Sequence, residues 1–112
     1  MKDIYYYKAF VTKVYDGDTV TVDIDLGFGL QLNKQVLRLS NIDTPEIRGD
    51  ERFDGIISKN IVSDLILGKS VMIKTDKDTK GKYGRWLAEI YIDDLNVNEY
   101  LINEGYAERW VD

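Results

Sequence analysis

The sequence contains neither cysteine nor histidine, and these two absences narrow the chemistry open to it. Without cysteine there can be no disulfide framework, no thiolate metal site and no cysteine nucleophile. Without histidine there is no imidazole to act as a general base, a zinc ligand or a pH switch. Any acid–base chemistry must therefore depend on carboxylates, tyrosines or a metal-bound water.

Proline occurs once, and no apolar run is long enough for a membrane span or a signal peptide. The first ten residues, MKDIYYYKAF, mix charges with tyrosines, so we expect a cytoplasmic protein. Hydrophobic residues make up 44% of the chain, which excludes a disordered or low-complexity class. A chain of 112 residues can bury one hydrophobic core, so residues 1–112 are predicted to form a single domain.

Basic residues are outnumbered, because 20 acids against 15 bases give a net charge of −5. Proteins that bind nucleic acid by general electrostatic attraction usually carry a basic surface, so the net charge argues against that class. One segment differs, because four cations and one acid lie between Lys77 and Arg85. Any contact with phosphates is therefore expected to depend on local charge.

Residues 4–39 are rich in tyrosine, threonine and branched apolar residues, and they predict three strands in a meander. Breaks fall at Tyr15–Asp18 and around Gly27–Gly29. The second strand, Thr19–Asp25, alternates apolar and polar residues in the manner of a half-buried strand.

Apolar residues at three- and four-residue spacing predict an amphipathic helix over Arg52–Leu67, with Gly68 as its C-terminal cap. The predicted apolar face comprises Phe53, Ile56, Ile57, Ile61, Leu65 and Ile66. Two strands, Ser70–Lys74 and Trp86–Ile92, and a short helix, Val97–Glu104, follow. Three strands, a helix and two strands are the element order of an OB-fold, a mainly β, five-stranded Greek-key barrel.

Asp16-Gly17-Asp18-Thr19 joins the first two predicted strands. Asp-Gly is a common choice for a hairpin turn, and for this segment alone a structural role is favoured. The second carboxylate supports another interpretation, because two acids around a glycine can project from a barrel rim, where a cation relieves their repulsion.

Arg38 and Asp43-Thr44-Pro45-Glu46 lie between the third strand and the first helix. The four-residue segment could lead into the helix, with a capping acid and a proline in the first turn. A functional role for its acids is about equally well supported. Lys82-Tyr83-Gly84-Arg85, before the fifth strand, is either a solvated turn with Gly84 at positive φ or a contact for phosphate.

Together the three segments supply two or three metal-seeking carboxylates, one further carboxylate and two arginines. Phosphodiester hydrolysis uses such a set, because a hard cation takes oxygen ligands and an acid can orient or deprotonate the attacking water. Forked guanidinium groups match the charge that builds on the phosphate. The combination is far more specific than its parts.

In order and spacing, these segments make the sequence resemble the staphylococcal nuclease (thermonuclease) family over nearly the whole chain. The resemblance implies an OB barrel and calcium-dependent cleavage of DNA and RNA, typically leaving 3′-phosphates. Asp25–Gly29 is similar to the corresponding stretch of a subgroup often encoded by phages and mobile elements.

The resemblance also implies a ligand set for one Ca²⁺ ion. Asp18 and Asp43 would supply carboxylates, and Thr44 would add its backbone carbonyl. Asp16 would contact these ligands without binding the ion itself.

Further residues take catalytic and binding roles by the same resemblance. Glu46 would be the general base, and Arg38 and Arg85 would bind the phosphate, with Arg85 also assisting departure of the 5′ oxygen. Lys82 and Tyr83 would contact a neighbouring phosphate. The expected partners are DNA and RNA, preferably single-stranded.

The sequence departs from the family pattern at its end, near Trp110, where the prototype continues into a long helix and base-stacking tyrosines. The base preference therefore stays open, and an uncovered side of the barrel is expected to favour self-association or a protein partner. Trp86 and Trp110 are candidates for that surface, although a core role is favoured for both. A non-catalytic binding module and a calcium-stabilised structural domain are the alternative functions.

Overall fold

The computed structural model describes residues 4–76 and 84–110. In chain order its elements are β1 (Ile4–Asp16), β2 (Thr19–Gly27), β3 (Leu30–Leu39), β4 (Ile42–Asp43), a 3₁₀ turn (Gly49–Glu51), α1 (Arg52–Ile66), β5 (Ser70–Asp76), β6 (Trp86–Ile92), β7 (Leu95–Asn96), α2 (Val97–Asn103) and β8 (Glu108–Arg109). The five long strands and both helices confirm the predicted element order. The two-residue strands β4, β7 and β8 are additions that the sequence did not predict.

The five long strands form a closed barrel of the OB type. β1 lies antiparallel between β2 and β5, and β3 and β6 extend the sheet on either side. The barrel closes where β3 pairs with β6 in parallel, from Leu37 opposite Trp86 to Leu39 opposite Ala88. This mixed five-stranded barrel confirms the predicted fold class.

The core consists of branched aliphatic residues from all five barrel strands, joined by both helices. Val62 and Ile66 of α1 and Val97 and Leu101 of α2 are fully buried against it. Valine, isoleucine and leucine suit these positions because they fill a barrel interior without polar atoms that need a partner. The core therefore fixes the helices on the barrel and, with them, the loops that carry the candidate site.

The predicted apolar face of α1 is wrong in its first half. Phe53 is 75% exposed, and Ile56 and Ile57 are also exposed, whereas Gly55 and Ser58 are buried. The reason is steric: a side chain at Gly55 would meet the backbone at Glu46, so only small residues allow this half of the helix to approach the loop. From Ser58 onward the buried stripe continues along the helix through Val62 and Ile66.

Neither helix in the described part of the chain is long and apolar enough to cross a membrane. Of the two tryptophans, Trp86 is partly buried against the core and donates a hydrogen bond from Nε1 to Gln35 Oε1 at 2.9 Å. Trp110 is about half exposed. The core role predicted for Trp86 is therefore confirmed, whereas the core role predicted for Trp110 is wrong, because that side chain lies at the surface.

Candidate active site

The β1–β2 turn is both a hairpin connection and the base of an acidic site. Asp16 Oδ1 accepts the backbone N–H of Asp18 at 3.1 Å, which closes the turn. Gly17 is buried, and a Cβ there would lie 2.9 Å from both Ser58 Cβ and Thr44 Cγ2. Glycine is therefore required by close packing, which holds the turn against α1 and the segment after β4.

Asp18 links three separate parts of the chain through its carboxylate. The side chain accepts hydrogen bonds from Thr19 Oγ1 at 3.1 Å and from the backbone N–H of Thr44 at 3.2 Å. Arg38 Nη1 lies 3.4 Å from Asp18 Oδ2. Because the residue is only 6% exposed, these contacts replace the water that its charge loses on folding.

Arg38 lies between two acids that are distant in sequence. Its Nη2 is 3.6 Å from Asp43 Oδ1, and its Nη1 also donates to the backbone carbonyl of Leu39 at 2.9 Å. The backbone places Arg38 there because it pairs with Thr19 in β2 and with Leu87 in β6. The guanidinium group thus joins Asp18 to Asp43 at one rim of the barrel.

The second predicted arginine reaches the same rim. Arg85 directly precedes β6, and its Nη1 lies 3.3 Å from Thr19 Oγ1, to which it donates a hydrogen bond. The same hydroxyl donates to Asp18. Two guanidinium groups separated by 47 positions in the sequence therefore both contact Asp18 or its neighbour.

The acids influence one another strongly. Burial, a hydrogen bond to Asp18 and the charge of Asp18 raise the pKa of Asp16 to about 7. Burial opposes ionisation of Asp18 as well, but the hydrogen bond from Asp16 and the charge of Arg38 outweigh it, so the pKa of Asp18 is lowered. Burial and the negative charge of Asp18 raise the pKa of Asp43.

This donor set fits a hard divalent cation. Carboxylates that raise one another's pKa are held close together, and a cation would relieve their repulsion. Within residues 4–76 and 84–110, no three acidic side chains are close enough to hold a metal ion by themselves. The two carboxylates of Asp18 and Asp43, which both contact Arg38, therefore suit an ion that keeps several water ligands, as Ca²⁺ and Mg²⁺ do.

Glu46 is exposed on the loop that precedes the 3₁₀ turn. Its charge contributes to the raised pKa of Asp43, which indicates that both acids lie on the same side of the barrel. The backbone carbonyl of Glu46 lies where a side chain at Gly55 would be, so helix α1 determines the path of this loop.

Sequence reasoning missed Glu108, an acid outside the predicted set. Glu108 in β8 is paired with Asp43 in β4, and its charge also raises the pKa of Asp43. Both acids line a cavity of about 490 Å³ between β4, α1 and the segment before β8. Thr44 lines this cavity too, whereas Asp18, Glu46 and both arginines do not.

The remaining predicted residues belong to the segment before β6. Lys82 and Tyr83 lie outside the described residues, as do the other two lysines of the basic segment. Gly84 is described and has the predicted positive φ, at 75°.

Comparison with known proteins decides the family. The model of the family described as "Staphylococcal nuclease homologue" matches residues 36–111. The chain belongs to the staphylococcal nuclease family. The matched range contains Arg38, Asp43, Thr44, Glu46 and Arg85.

Individual relatives support this membership in the staphylococcal nuclease family. A thermonuclease of Staphylococcus hyicus is 34% identical over 87% of this chain and 56% of its own length. An uncharacterised endonuclease of Haemophilus influenzae is 36% identical over 87% of this chain and 49% of its own. An uncharacterised protein of Methanocaldococcus jannaschii is 33% identical over 95% of this chain and 60% of its own. The chain thus spans 49–60% of the length of these three relatives.

Proposed function

We propose that this member of the staphylococcal nuclease family is a calcium-dependent nuclease that hydrolyses phosphodiester bonds in DNA and RNA. Water would attack the phosphorus in line with the departing 5′ oxygen, leaving 3′-phosphate ends. The observation that best supports the proposal is the position of Arg38 between Asp18 and Asp43. Arg85 is linked to Asp18 through the hydroxyl of Thr19. The arginines that would bind the phosphate and the acids that would hold a metal ion therefore lie at one rim of the barrel.

The two arginines would bind the phosphate and stabilise the charge that develops on it. A guanidinium group presents parallel N–H donors that match two phosphate oxygens, which lysine cannot do. Arg38 would grip the non-bridging oxygens, and Arg85 would in addition stabilise the departing 5′ oxygen. Both side chains are already oriented by contacts with Asp18 or Thr19, so little order has to be gained when substrate binds.

Glu46 would accept the proton of the attacking water. An exposed carboxylate is accessible to a water molecule at the rim, and a general base must lie within hydrogen-bond reach of the proton it removes. Asp18, Asp43 and the carbonyl of Thr44 would hold Ca²⁺, with Asp16 hydrogen-bonded behind Asp18. When bound, calcium supplies Lewis-acid polarisation of a phosphoryl oxygen.

The family resemblance supports further parts of the proposal. Lys82 and Tyr83 would contact the phosphate next to the scissile one, and single-stranded DNA or RNA would be the preferred substrate. A phage or another mobile element would encode the protein, because Asp25–Gly29 is similar to the corresponding stretch of a subgroup that is often so encoded.

The test is a cleavage assay on single-stranded DNA and RNA in calcium, magnesium or chelator. We expect calcium-dependent cleavage that a chelator abolishes, and a loss of roughly 10²–10⁴-fold in Glu46→Ala and in Arg85→Ala. Arg52→Ala is the matched control, because Arg52 is exposed on α1 and its guanidinium group lies 5.6 Å from the centre of the Phe53 ring. Cleavage at the wild-type rate by the double variant Glu46→Ala/Arg85→Ala would refute the mechanism. Binding of DNA without any cleavage by the wild type would instead favour the non-catalytic module.

A further inference from the structure

The turn of the β2–β3 hairpin has a residue that its backbone conformation disfavours. Phe28 and Gly29 form the two-residue connection between the paired residues Gly27 and Leu30, and both have positive φ, at 57° and 76°. Two-residue turns with positive φ at both positions favour asparagine, aspartate or glycine first. A bulky residue such as phenylalanine is disfavoured there, because its Cβ crowds the backbone in the left-handed region.

The phenylalanine makes no packing contact that would stabilise the fold of the single chain, within the residues that the structure describes. Phe28 is 102% exposed, so its ring packs against nothing in the described part of the chain. A Cβ placed on either neighbouring glycine would also find no atom within 4 Å. A strained residue that makes no stabilising contact within its own chain points to a function outside the fold of the monomer.

The hairpin tip on either side of Phe28 is mainly apolar, and the first charged residue before it is Asp25, whose Oδ1 accepts the backbone N–H of Gly27 at 2.8 Å. Leu26, Leu30 and Leu32 are each 40% to 60% exposed. Residues 26–33 contain no charged side chain, in a protein in which 31% of residues are charged. Residues 26–33 therefore offer no cation to a nucleic acid, and two copies of an acidic protein would bring few like charges together there.

A pocket of matching size lies on the same end of the barrel. Its volume is about 110 Å³, and its lining is almost entirely apolar and includes Leu26, Leu32 and Trp86. A cavity of about 150 Å³ accepts benzene, so this pocket is of the right order for a phenyl ring. Leu26 and Leu32 flank the turn that carries Phe28, so an exposed aromatic side chain and an apolar pocket occupy neighbouring positions on one molecule.

We propose that two copies of this protein form a two-fold symmetric dimer through their β2–β3 hairpins, with Phe28 of each copy inserted into the apolar pocket of the other. Two-fold symmetry applies because each copy contributes both parts of the same contact. Burial of two phenyl rings and the flanking leucines removes on the order of 1,000 Å² from water, the lower end for a specific interface. The dimer is therefore weak and reversible.

Sedimentation velocity across the micromolar concentration range tests the proposal, with Phe28→Asn compared to the wild type. Asparagine is favoured at this turn position, so the variant should fold and melt at or above the wild-type temperature. Its association constant should fall at least about 30-fold, because two buried phenyl rings are lost from each dimer. Phe53→Asn is the matched control: Phe53 is 75% exposed on α1, and its loss should leave association unchanged.

A second readout locates the contact. In a Trp110→Phe background, Trp86 fluorescence should shift to shorter wavelength as the dimer forms, because Trp86 lines the pocket, and Phe28→Asn should abolish this shift. Phe28→Gly, which adopts positive φ freely, replaces Phe28→Asn if the latter misfolds. A wild-type protein that stays monomeric throughout the range overturns the proposal. So does association that persists in the Phe28 variants or that falls equally in Phe53→Asn.

Discussion

Alanine at position 55 would place a methyl group directly against the carbonyl group of Glu46 and 2.8 Å from the backbone nitrogen of Ile47. Helix propensity alone favours this change, since alanine is about 1 kcal/mol better than glycine inside a helix. The steric term opposes it, because the obstructing atoms are backbone and cannot rotate away. Overpacking against backbone is expected at the upper part of the usual range, about 2–3 kcal/mol, so after the gain of about 1 kcal/mol we expect a net loss of about 1–2 kcal/mol in the free energy of unfolding.

The same substitution should reduce catalysis more than its effect on stability suggests. The loop that carries Glu46 must move to accommodate the methyl group, and a shift of about 1 Å at a catalytic group can lower turnover by about 100-fold. We therefore expect Gly55→Ala to melt on the order of 5 °C lower and to cleave DNA about 10–100-fold more slowly. Differential scanning calorimetry and the calcium-dependent assay measure the two effects.

Asn60→Ala is the matched control, because Asn60 is exposed on the same helix, so alanine there should leave activity unchanged and the melting temperature equal or slightly higher. If Gly55→Ala melted at or above the wild-type temperature and retained full activity, α1 would not determine the position of the Glu46 loop.

Three other predictions concern the rim and its support. Thr19→Val removes the hydroxyl between Arg85 and Asp18 and should lower turnover about 10-fold in the cleavage assay. Asp16 has its pKa raised to about 7 in the folded protein, so its proton stabilises the fold at acid pH and this contribution is lost as pH rises toward 7. Asp16→Asn should therefore gain stability relative to the wild type between pH 4 and pH 7 in urea titrations. Asn98→Ala removes the side-chain acceptor of the buried backbone N–H of Ile90 in β6 and should cost about 2 kcal/mol in the same titrations.

Each of these has a result that would count against it. Unchanged turnover in Thr19→Val would show that the hydroxyl does not orient Arg85. A stability difference for Asp16→Asn that is constant with pH would exclude the raised pKa of Asp16. A loss below about 1 kcal/mol for Asn98→Ala would show that water replaces its hydrogen bonds.

Periodicity predicted the barrel well because burial alternates along its strands. Trp86–Ile92 was predicted with its observed bounds, and β2 was two residues short because Gly27 reads as a break. The short strands β4, β7 and β8 have two residues each, which is too few for a periodic pattern. The face of α1 was misjudged because apolar spacing does not show where the backbone must approach closely, as it does at Gly55.

The part of the candidate site that depends on residue types could be predicted from the sequence. The part that depends on how the strands pair could not. Acids and arginines at family spacing indicated Asp18, Arg38 and Asp43, which the fold brings together. The hydrogen bond from Thr44 to Asp18 spans 26 positions, and no local pattern encodes it. Glu108 could not be found from sequence, because its proximity to Asp43 results from the pairing of two very short strands.

The parallel seam between β3 and β6 has a consequence for how activity would fail under stress. It consists of three residue pairs, and the central one places Arg38 beside the strand that Arg85 precedes. If this pairing broke while the antiparallel hairpins stayed intact, the two guanidinium groups would move apart. They could then no longer bind the same phosphate together. Heat or denaturant would then abolish activity before most of the sheet had unfolded.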